Sequence, residues 1–507
     1  MSGATSVVAP SQRRQHTAGG SGLFQAFHEA GIRYCFWKSD PHELARSLRG
    51  RSDLDVLIDR AHARDAQDAL ARSGFKRFTA VPAKAYPGVE DYLALDPAAG
   101  AILHCHAHYR LLIGRANRKE YRLPWEDLLL DTRQFDARVG VYVADPDVEI
   151  LLLLLRSAAK LGLGDFVRPL VGRPLFDVEF GTQLERLRSF VDPSRTGKLC
   201  ADLLGERVAA RLPDLLAGRT AGRAAPGLAW AARSALRAFR RHGRVTGLLY
   251  GWSRTLGWVV GGAARRYLRL ALPVRRTVPT GGIVVAVMGS DGAGKSTVTR
   301  ELATALAAKL DVLRVYFGSG DGPSSLVRWP MLVARRALKH SGVVAPQGRR
   351  ADRPDGTLLS WARVVWALAL SLEKRRKLRA TWHARNRGMI VVADRYPQAQ
   401  VTGFNDGPLL TRLARHPWSA LRRLARWEAA PYVWAERHAP DLIVKLSVAP
   451  ETALRRKPEL SLAEAERRIS AVRSLTYAPP TAVVEVDADR PIADVRRAVW
   501  EAVWDRL

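Results

Sequence analysis

Apolar and polar positions follow two distinct periods along these 507 residues, and the changes of period outline the elements. Residues 23–39 predict a short helix and then a strand, GIRYCFWKS, and DLDVLID at 53–59 predicts a second strand. Residues 102–112, ILHCHAHYRLL, alternate cleanly, so His104, His106 and His108 share one face while Cys105, Ala107 and Tyr109 share the other. From Asp145 to about Leu216 the period lengthens to that of a helix. PDVEILLLLLRSAAKLG suits a buried helix, with Asp147 and Glu149 near its positive end. In the second half, continuous apolar runs predict buried strands at 284–288, 312–317, 389–396 (MIVVADRY), 440–448 and 483–486. Helices are predicted from about Lys295, over 358–387, from Pro450, over 464–473 and at the C-terminus.

The stretch 284–303, VVAVMGSDGAGKSTVTRELA, adds chemistry to that pattern. A strand runs into a glycine-rich turn and then a helix, and Gly289, Gly294, Lys295 and Ser296 fill G-x-x-x-x-G-K-[ST], the Walker A phosphate loop. Glycines let successive backbone N–H groups turn inward around a polyphosphate, while the helix that follows points its positive end at the same anion. Nucleotide-binding positions are therefore expected at Gly289, Ser290, Gly292, Ala293, Gly294, Lys295, Ser296 and Thr297. Lys295 can reach the β- and γ-phosphates and Ser296 can offer its hydroxyl to Mg²⁺. The strand ending in Asp394 has the form of a Walker B strand whose carboxylate reaches the same ion, and Arg395 beside it can meet a phosphate bidentately.

Charge extends the picture to partners. The formal net charge is +31, most of the excess is Arg, and no acidic residue occurs between Asp214 and Asp291. Such a balance favours anionic partners: nucleotides, nucleic acid, acidic glycans or an anionic membrane face. Arg233, Arg237, Arg240, Arg241 and Arg244 recur at helical spacing, and Leu248, Trp252, Leu256 and Val260 form an apolar stripe after them. Residues 228–276 thus read as a basic amphipathic arm lying on an anionic membrane, docking on the C-terminal domain or tracking nucleic-acid phosphates, or as an interdomain helical linker. Three widely spaced cysteines, Cys35, Cys105 and Cys200, form neither a disulfide framework nor a zinc pattern, which points to a reducing compartment. Residues 1–20 lack the apolar core of a signal peptide and read as a disordered tail, and no apolar run approaches the length of a spanning helix. The expected location is cytoplasmic, with a peripheral position at the inner membrane face as the variant reading.

Asp53 and Asp55 project from one face of an extended chain and form a candidate metal-binding pair. Lys38-Ser39 followed by Asp53-Leu54-Asp55 resembles the signature of nucleotidyltransferase-fold proteins, in which a Gly-Ser pair precedes D-x-D. Two departures stand out: Lys38 replaces the usual Gly, and His106 stands where the family places a third acid. Two readings of the histidine face remain, a polar sheet face with satisfied histidines and a metal site. The resemblance implies a nucleotidyltransferase-like domain, catalytic or substrate-binding.

The C-terminal half resembles the thymidylate kinase family of P-loop nucleoside monophosphate kinases, through GSDGAGKST at 289–297, ADRY at 393–396, PDLIVKLSVAPETALRR at 440–456 and VDA at 486–488. The resemblance implies ATP as donor and Mg²⁺ as cofactor, with Asp291 facing the acceptor and Arg395 binding phosphate there. Arg455 and Arg456, together with Arg467, Arg468 and Arg473, form a basic lid in this reading. Two departures concern the acceptor: GSGDGPSS replaces the family's Arg-Glu-Pro-Gly-Gly segment, and PQAQVTGFNDGP lacks its thymine-reading residues.

The resulting expectation is an α/β protein in four parts: a tail (1–20), a nucleotidyltransferase-like α+β domain with a helical extension (21–220), a basic helical linker (221–280) and a P-loop kinase domain with a parallel sheet (281–507). Its activity is read as phosphoryl transfer from ATP to a nucleoside monophosphate, a sugar or another hydroxyl-bearing metabolite. A bifunctional nucleotidyltransferase-kinase and an anchored nucleotide-switch ATPase are the alternatives. Nucleic acid and a homodimer remain open as partners.

Overall fold

A computed structural model describes residues 20–38, 41–97, 99–171, 173–218, 224–267, 270–318, 357–401 and 407–507. The expected tail lies outside these residues except for Gly20, which opens the helix Gly20–Glu29, and so do Ser39 and the basic segment 321–356. The chain is mixed α/β and divides into two compact units at Ala263/Ala264.

In the first unit β1 (Tyr34–Phe36), β2 (Leu54–Ile58), β3 (Lys76–Phe78), β4 (Val89–Asp96), β5 (Ala101–His108), β8 (Gln134–Asp136) and β9 (Val141–Val143) form one mixed sheet. Its order is β3-β4-β5-β2-β1-β9-β8, while β6 (Leu111–Ile113) and β7 (Tyr121–Leu123) pair separately. Register aligns the chemistry. β2 runs parallel to β5 with Asp55 opposite His106, and β4 runs antiparallel to β5 with Asp91 opposite the same histidine. Cys105 and Ala107 on the other face are buried with Leu54, Val56 and Tyr92. The histidine face is not solvated either: His104 and His108 are buried and only His106 is partly exposed.

The helix Pro146–Lys160 starts at the N-cap Asp145, whose side chain accepts from the Asp147 N–H. Its leucines 151–155 are buried at the centre of a second apolar cluster. Asp147, which the amphipathic pattern places at the helix's positive end, accepts from Arg195 (2.9 Å) and from the Thr196 hydroxyl (2.6 Å). Helix Ala224–Ala235 packs Leu228, Ala229 and Ala232 into the same cluster. The first half of the stretch read as a linker therefore shares the first unit's core. Helix Arg244–Tyr267 follows, and its Val245, Leu249, Trp252, Leu256 and Val260 are all exposed. Among the described residues no helix is long and apolar enough to cross a membrane.

The second unit is organised on five parallel strands, β10 (Ile283–Gly289), β11 (Val312–Tyr316), β12 (Ile390–Asp394), β13 (Leu442–Ser447) and β14 (Ala482–Asp487). Their order is β11-β12-β10-β13-β14, with every pairing parallel. Val284, Ala286, Met288, Val391, Ala393 and Ile443 join the main core, as the continuous apolar runs require of a sheet covered on both faces. Asp441 pins the start of β10 by accepting from the Val284 N–H (2.8 Å) and from the Arg385 guanidinium (2.8 and 2.6 Å). β10 leads toward β11 on one side of the sheet and its neighbour β13 leads to β14 on the other, so the crevice between their C-terminal ends is a topological switch point.

Candidate functional site

The glycine-rich turn occupies that crevice. β10 ends at Gly289, and helix Lys295–Ala307 begins behind Gly294, which stands at φ +81° as its N-cap. Gly292 has φ +85°, and a Cβ there would meet the Ala453 carbonyl oxygen at 2.9 Å. Only glycine fits both the dihedral and the approach. Lys295 is buried and donates from Nζ to the Ser290 carbonyl (2.7 Å), so its ammonium lies inside the turn.

The Ser296 hydroxyl donates to Asp394 Oδ2 at the end of the adjacent strand (2.6 Å). Asp394 is fully buried, and its other oxygen, Oδ1, has no hydrogen-bond partner among the described residues. The buried Ser290 hydroxyl lacks one as well. Such atoms cost on the order of 1–3 kcal/mol unless something else engages them. An oxygen-rich pair beside a helix N-terminus suits a hard divalent cation carried in on a phosphate.

Asp291 gathers two arginines. Arg395 donates to its Oδ1 (2.7 Å) and Arg468, from helix Leu462–Arg473, pairs with its Oδ2. Burial alone would raise the Asp291 carboxyl, but Arg395, Lys295 and Arg468 hold it below the usual carboxylate range. Arg395 has φ +68°, a left-handed conformation that few non-glycine residues adopt. Helix Leu462–Arg473 is tied at its far end, where the buried Lys445 donates to the carbonyls of Leu475 (2.8 Å) and Arg473 (3.3 Å).

The first unit holds a second concentration of ionisable groups. Asp55 is buried, pairs with Lys38, and accepts from His108 Nε2 (3.0 Å) and His106 Nδ1 (3.3 Å). Its burial would raise the carboxyl, but Lys38, His106 and His108 hold it well below the ordinary range. Asp91 Oδ1 accepts from His104 Nε2 (2.8 Å) and lies 3.0 Å from His106 Nε2. Burial would lower His106, yet Asp55 and Asp91 on either side raise it to about 9; burial brings His108 down to about 4. Asp53 Oδ1 lies 2.8 Å from His104 Nδ1, and Asp53 Oδ2 lies 4.0 Å from His106 Nδ1. Two groups have ligand atoms close enough to share a metal ion: Asp53, His104 and His106, and Asp55, His106 and His108. At the margin, burial lowers Lys119 to about 8, reinforced by the nearby cations Lys38, Lys160 and Arg156.

No protein-family profile matches the chain. Two proteins of Escherichia coli (strain K12) do resemble it. "Uncharacterized ATP-binding protein YghR" is 32% identical over 227 residues, covering 43% of this chain and 86% of YghR. "Uncharacterized ATP-binding protein YghS" is 29% identical over 224 residues, covering 43% of this chain and 92% of YghS. The chain belongs to the YghR family.

In this YghR-family chain the glycine-rich turn brings Gly289 to Thr297 together with Asp394 and Arg395, as just described. Arg456 reaches the turn too, donating to the Gly292 carbonyl (3.2 Å). Arg455 bonds locally to the Thr452 hydroxyl (3.3 Å). Of the arginines expected to form a lid, Arg468 meets Asp291, and it also pairs at 2.7 Å with Glu464 one turn before it. Asp53 and Asp55 both face His106. Asp91 carries no signal in the sequence: the pairing of β4 with β5 sets it against His104 and His106, and that register has no local signature.

Proposed function

We propose that this chain is an ATP- and Mg²⁺-dependent phosphotransferase of thymidylate kinase type, with a nucleoside monophosphate, a sugar or another hydroxyl-bearing metabolite as acceptor. The words "ATP-binding" in the names of YghR and YghS support the donor. The observation that carries the reading is the pair Ser296–Asp394: a buried carboxylate with one oxygen on the hydroxyl and the other unpartnered, at the start of the loop helix. When bound, Mg²⁺-ATP supplies an electrophilic terminal phosphoryl group whose charge is partly neutralised.

The chain's own residues do the rest by position and charge. Ser296 and Asp394 would hold the ion, and the amides that follow Gly292 and Gly294 would wrap the phosphates. Lys295 would move from the Ser290 carbonyl to the β- and γ-phosphate oxygens, exchanging a neutral acceptor for an anionic one. Asp291 positions Arg395 toward the acceptor and holds Arg468 within reach of the transferring group. No protein nucleophile is required, because positioning and charge neutralisation suffice for this transfer.

The test is transfer of label from γ-labelled ATP to a panel of monophosphates, sugars and alcohols by the intact chain, Lys295→Ala and Asp394→Asn. A phosphorylated acceptor formed by the intact chain and lost in both variants is expected. Steady ATP turnover with no labelled acceptor anywhere in the panel overturns the reading in favour of a nucleotide switch.

A peripheral contact with an anionic bilayer belongs to the same proposal. What favours it is the exposed apolar face of helix Arg244–Tyr267, set in a segment without acidic residues. Sedimentation with phosphatidylserine vesicles, and none with phosphatidylcholine vesicles, is the expected result.

A further inference from the structure

We infer that the first unit carries a metal site of its own, built from Asp53, His104 and His106 and selective for a first-row divalent transition ion of the Zn²⁺ or Co²⁺ type. This site is independent of the nucleotide chemistry proposed above.

The arrangement around His104 carries the argument. His104 is fully buried, and its Nε2 donates to Asp91 Oδ1 at 2.8 Å. A carboxylate accepts only, so this bond puts a ring hydrogen on Nε2, and in the neutral imidazole the lone pair is then on Nδ1. That Nδ1 lies 2.8 Å from Asp53 Oδ1 and makes no hydrogen bond among the described residues. Two electron-rich atoms so close repel unless a cation sits between them. Ligand atoms around one small divalent ion stand about 3 Å apart, the spacing seen here.

His106 completes the set. Its Nε2 lies 3.0 Å from the same Asp91 oxygen, and its Nδ1 faces Asp53 and Asp55 at 4.0 and 3.3 Å. Asp91 is thus a positioning residue, one carboxylate orienting two imidazoles from behind, as outer-shell carboxylates do at histidine metal sites. An entering ion replaces the His106 bond to Asp55, and that ring hydrogen leaves to solvent.

The neighbouring group Asp55–His106–His108 is a poorer candidate, since the Lys38 ammonium already rests on Asp55. Asp53, by contrast, is one-third exposed, so water or a substrate atom can fill the remaining positions on the ion. The three-carboxylate Mg²⁺ arrangement implied by the nucleotidyltransferase resemblance does not fit. Imidazole nitrogen takes the place of an acid at His106, and nitrogen ligands favour Zn²⁺, Co²⁺ and their neighbours over Mg²⁺.

The experiment uses untagged full-length protein, stripped with EDTA and kept free of nucleotide. Co²⁺ titration followed by visible absorption, and Zn²⁺ titration by calorimetry, are expected to give one tight equivalent that millimolar Mg²⁺ does not displace. Asp53→Asn and His104→Gln, both near-isosteric, should abolish that equivalent. Asp91→Asn should weaken it by about 10–100-fold, the usual effect of losing an outer-shell partner. Asp394→Asn should leave it intact. His106→Asp is the sharpening variant, because a second carboxylate should swing the preference toward Mg²⁺ and Mn²⁺. Circular dichroism of each variant separates loss of the site from loss of the fold. Absence of a tight equivalent in the folded wild-type chain, or its persistence in folded Asp53→Asn and His104→Gln, overturns the inference.

Discussion

Asp394 and Asp55 are both buried carboxylates borne on a strand, one in each unit, yet their surroundings differ. Asp394 has one oxygen on a serine hydroxyl and the other on no group among the described residues. Asp55 is met by an ammonium and two imidazoles. The first arrangement is incomplete as it stands and gains by taking in a cation. The second is already neutralised, and a ligand entering there would have to displace what is present. Burial alone therefore does not mark a site; the presence or lack of an internal counter-charge does. In the first unit the metal site inferred above lies two residues away, at the one-third exposed Asp53 beside His104, rather than at the buried Asp55.

The largest effects should come from the second unit. Lys295→Ala is expected to lower phosphoryl transfer by at least about 10²–10³-fold, the scale for one preorganised group at a developing charge, and Arg468→Ala by more if it meets the transferring group. Arg455→Ala should stay near wild type, because that side chain bonds only to Thr452 among the contacts described. Equal losses in Arg455→Ala and Arg468→Ala would break the assignment of roles within the lid; initial rates with labelled ATP decide it.

Next come the glycines. Gly292→Ala forces a Cβ against the Ala453 backbone at φ +85°, whereas Gly74 in the first unit has φ +81° with nothing within 4 Å. The first substitution should cost about 1–3 kcal/mol of unfolding free energy and the second about 1 kcal/mol. Urea melts that show no difference would remove the close approach as the reason for the glycine.

The smallest effect on stability belongs to the exposed helix. Trp252→Ser with Leu256→Ser should change unfolding free energy by no more than about 0.5 kcal/mol, as exposed positions do, while removing vesicle binding. Loss of stability without loss of binding would mean that this face packs on protein.

Much of the second unit is legible in the chain because its signals are local. A continuous apolar run, three glycines and Lys295-Ser296 are adjacent in sequence and stay adjacent in space. Asp394 is found the same way, as the acid that ends an apolar strand. The first unit hides its chemistry in pairing. Alternation puts His104, His106 and His108 on one face, but their partners come from β4, from β2 and from the residue before β2. Alternation marks that face as polar but not how far it is covered, and the fold buries His104 and His108. The stripe 248–260 is apolar in the sequence and exposed in the fold, whereas the turn of the upstream Arg241 onto the Lys119 carbonyl at 3.2 Å has no local signature.

The tether at Lys445 sets how the helix Leu462–Arg473 can travel. With its last carbonyls fastened to the sheet, the element swings like a door on one jamb rather than sliding as a slab. Arg468 sits five residues from the pivot, about 7.5 Å along the axis, so a tilt of about 10° carries its backbone only about 1.3 Å. Release from Asp291 is then a matter of side-chain reach more than of helix displacement, and the empty and loaded forms can share nearly the same backbone.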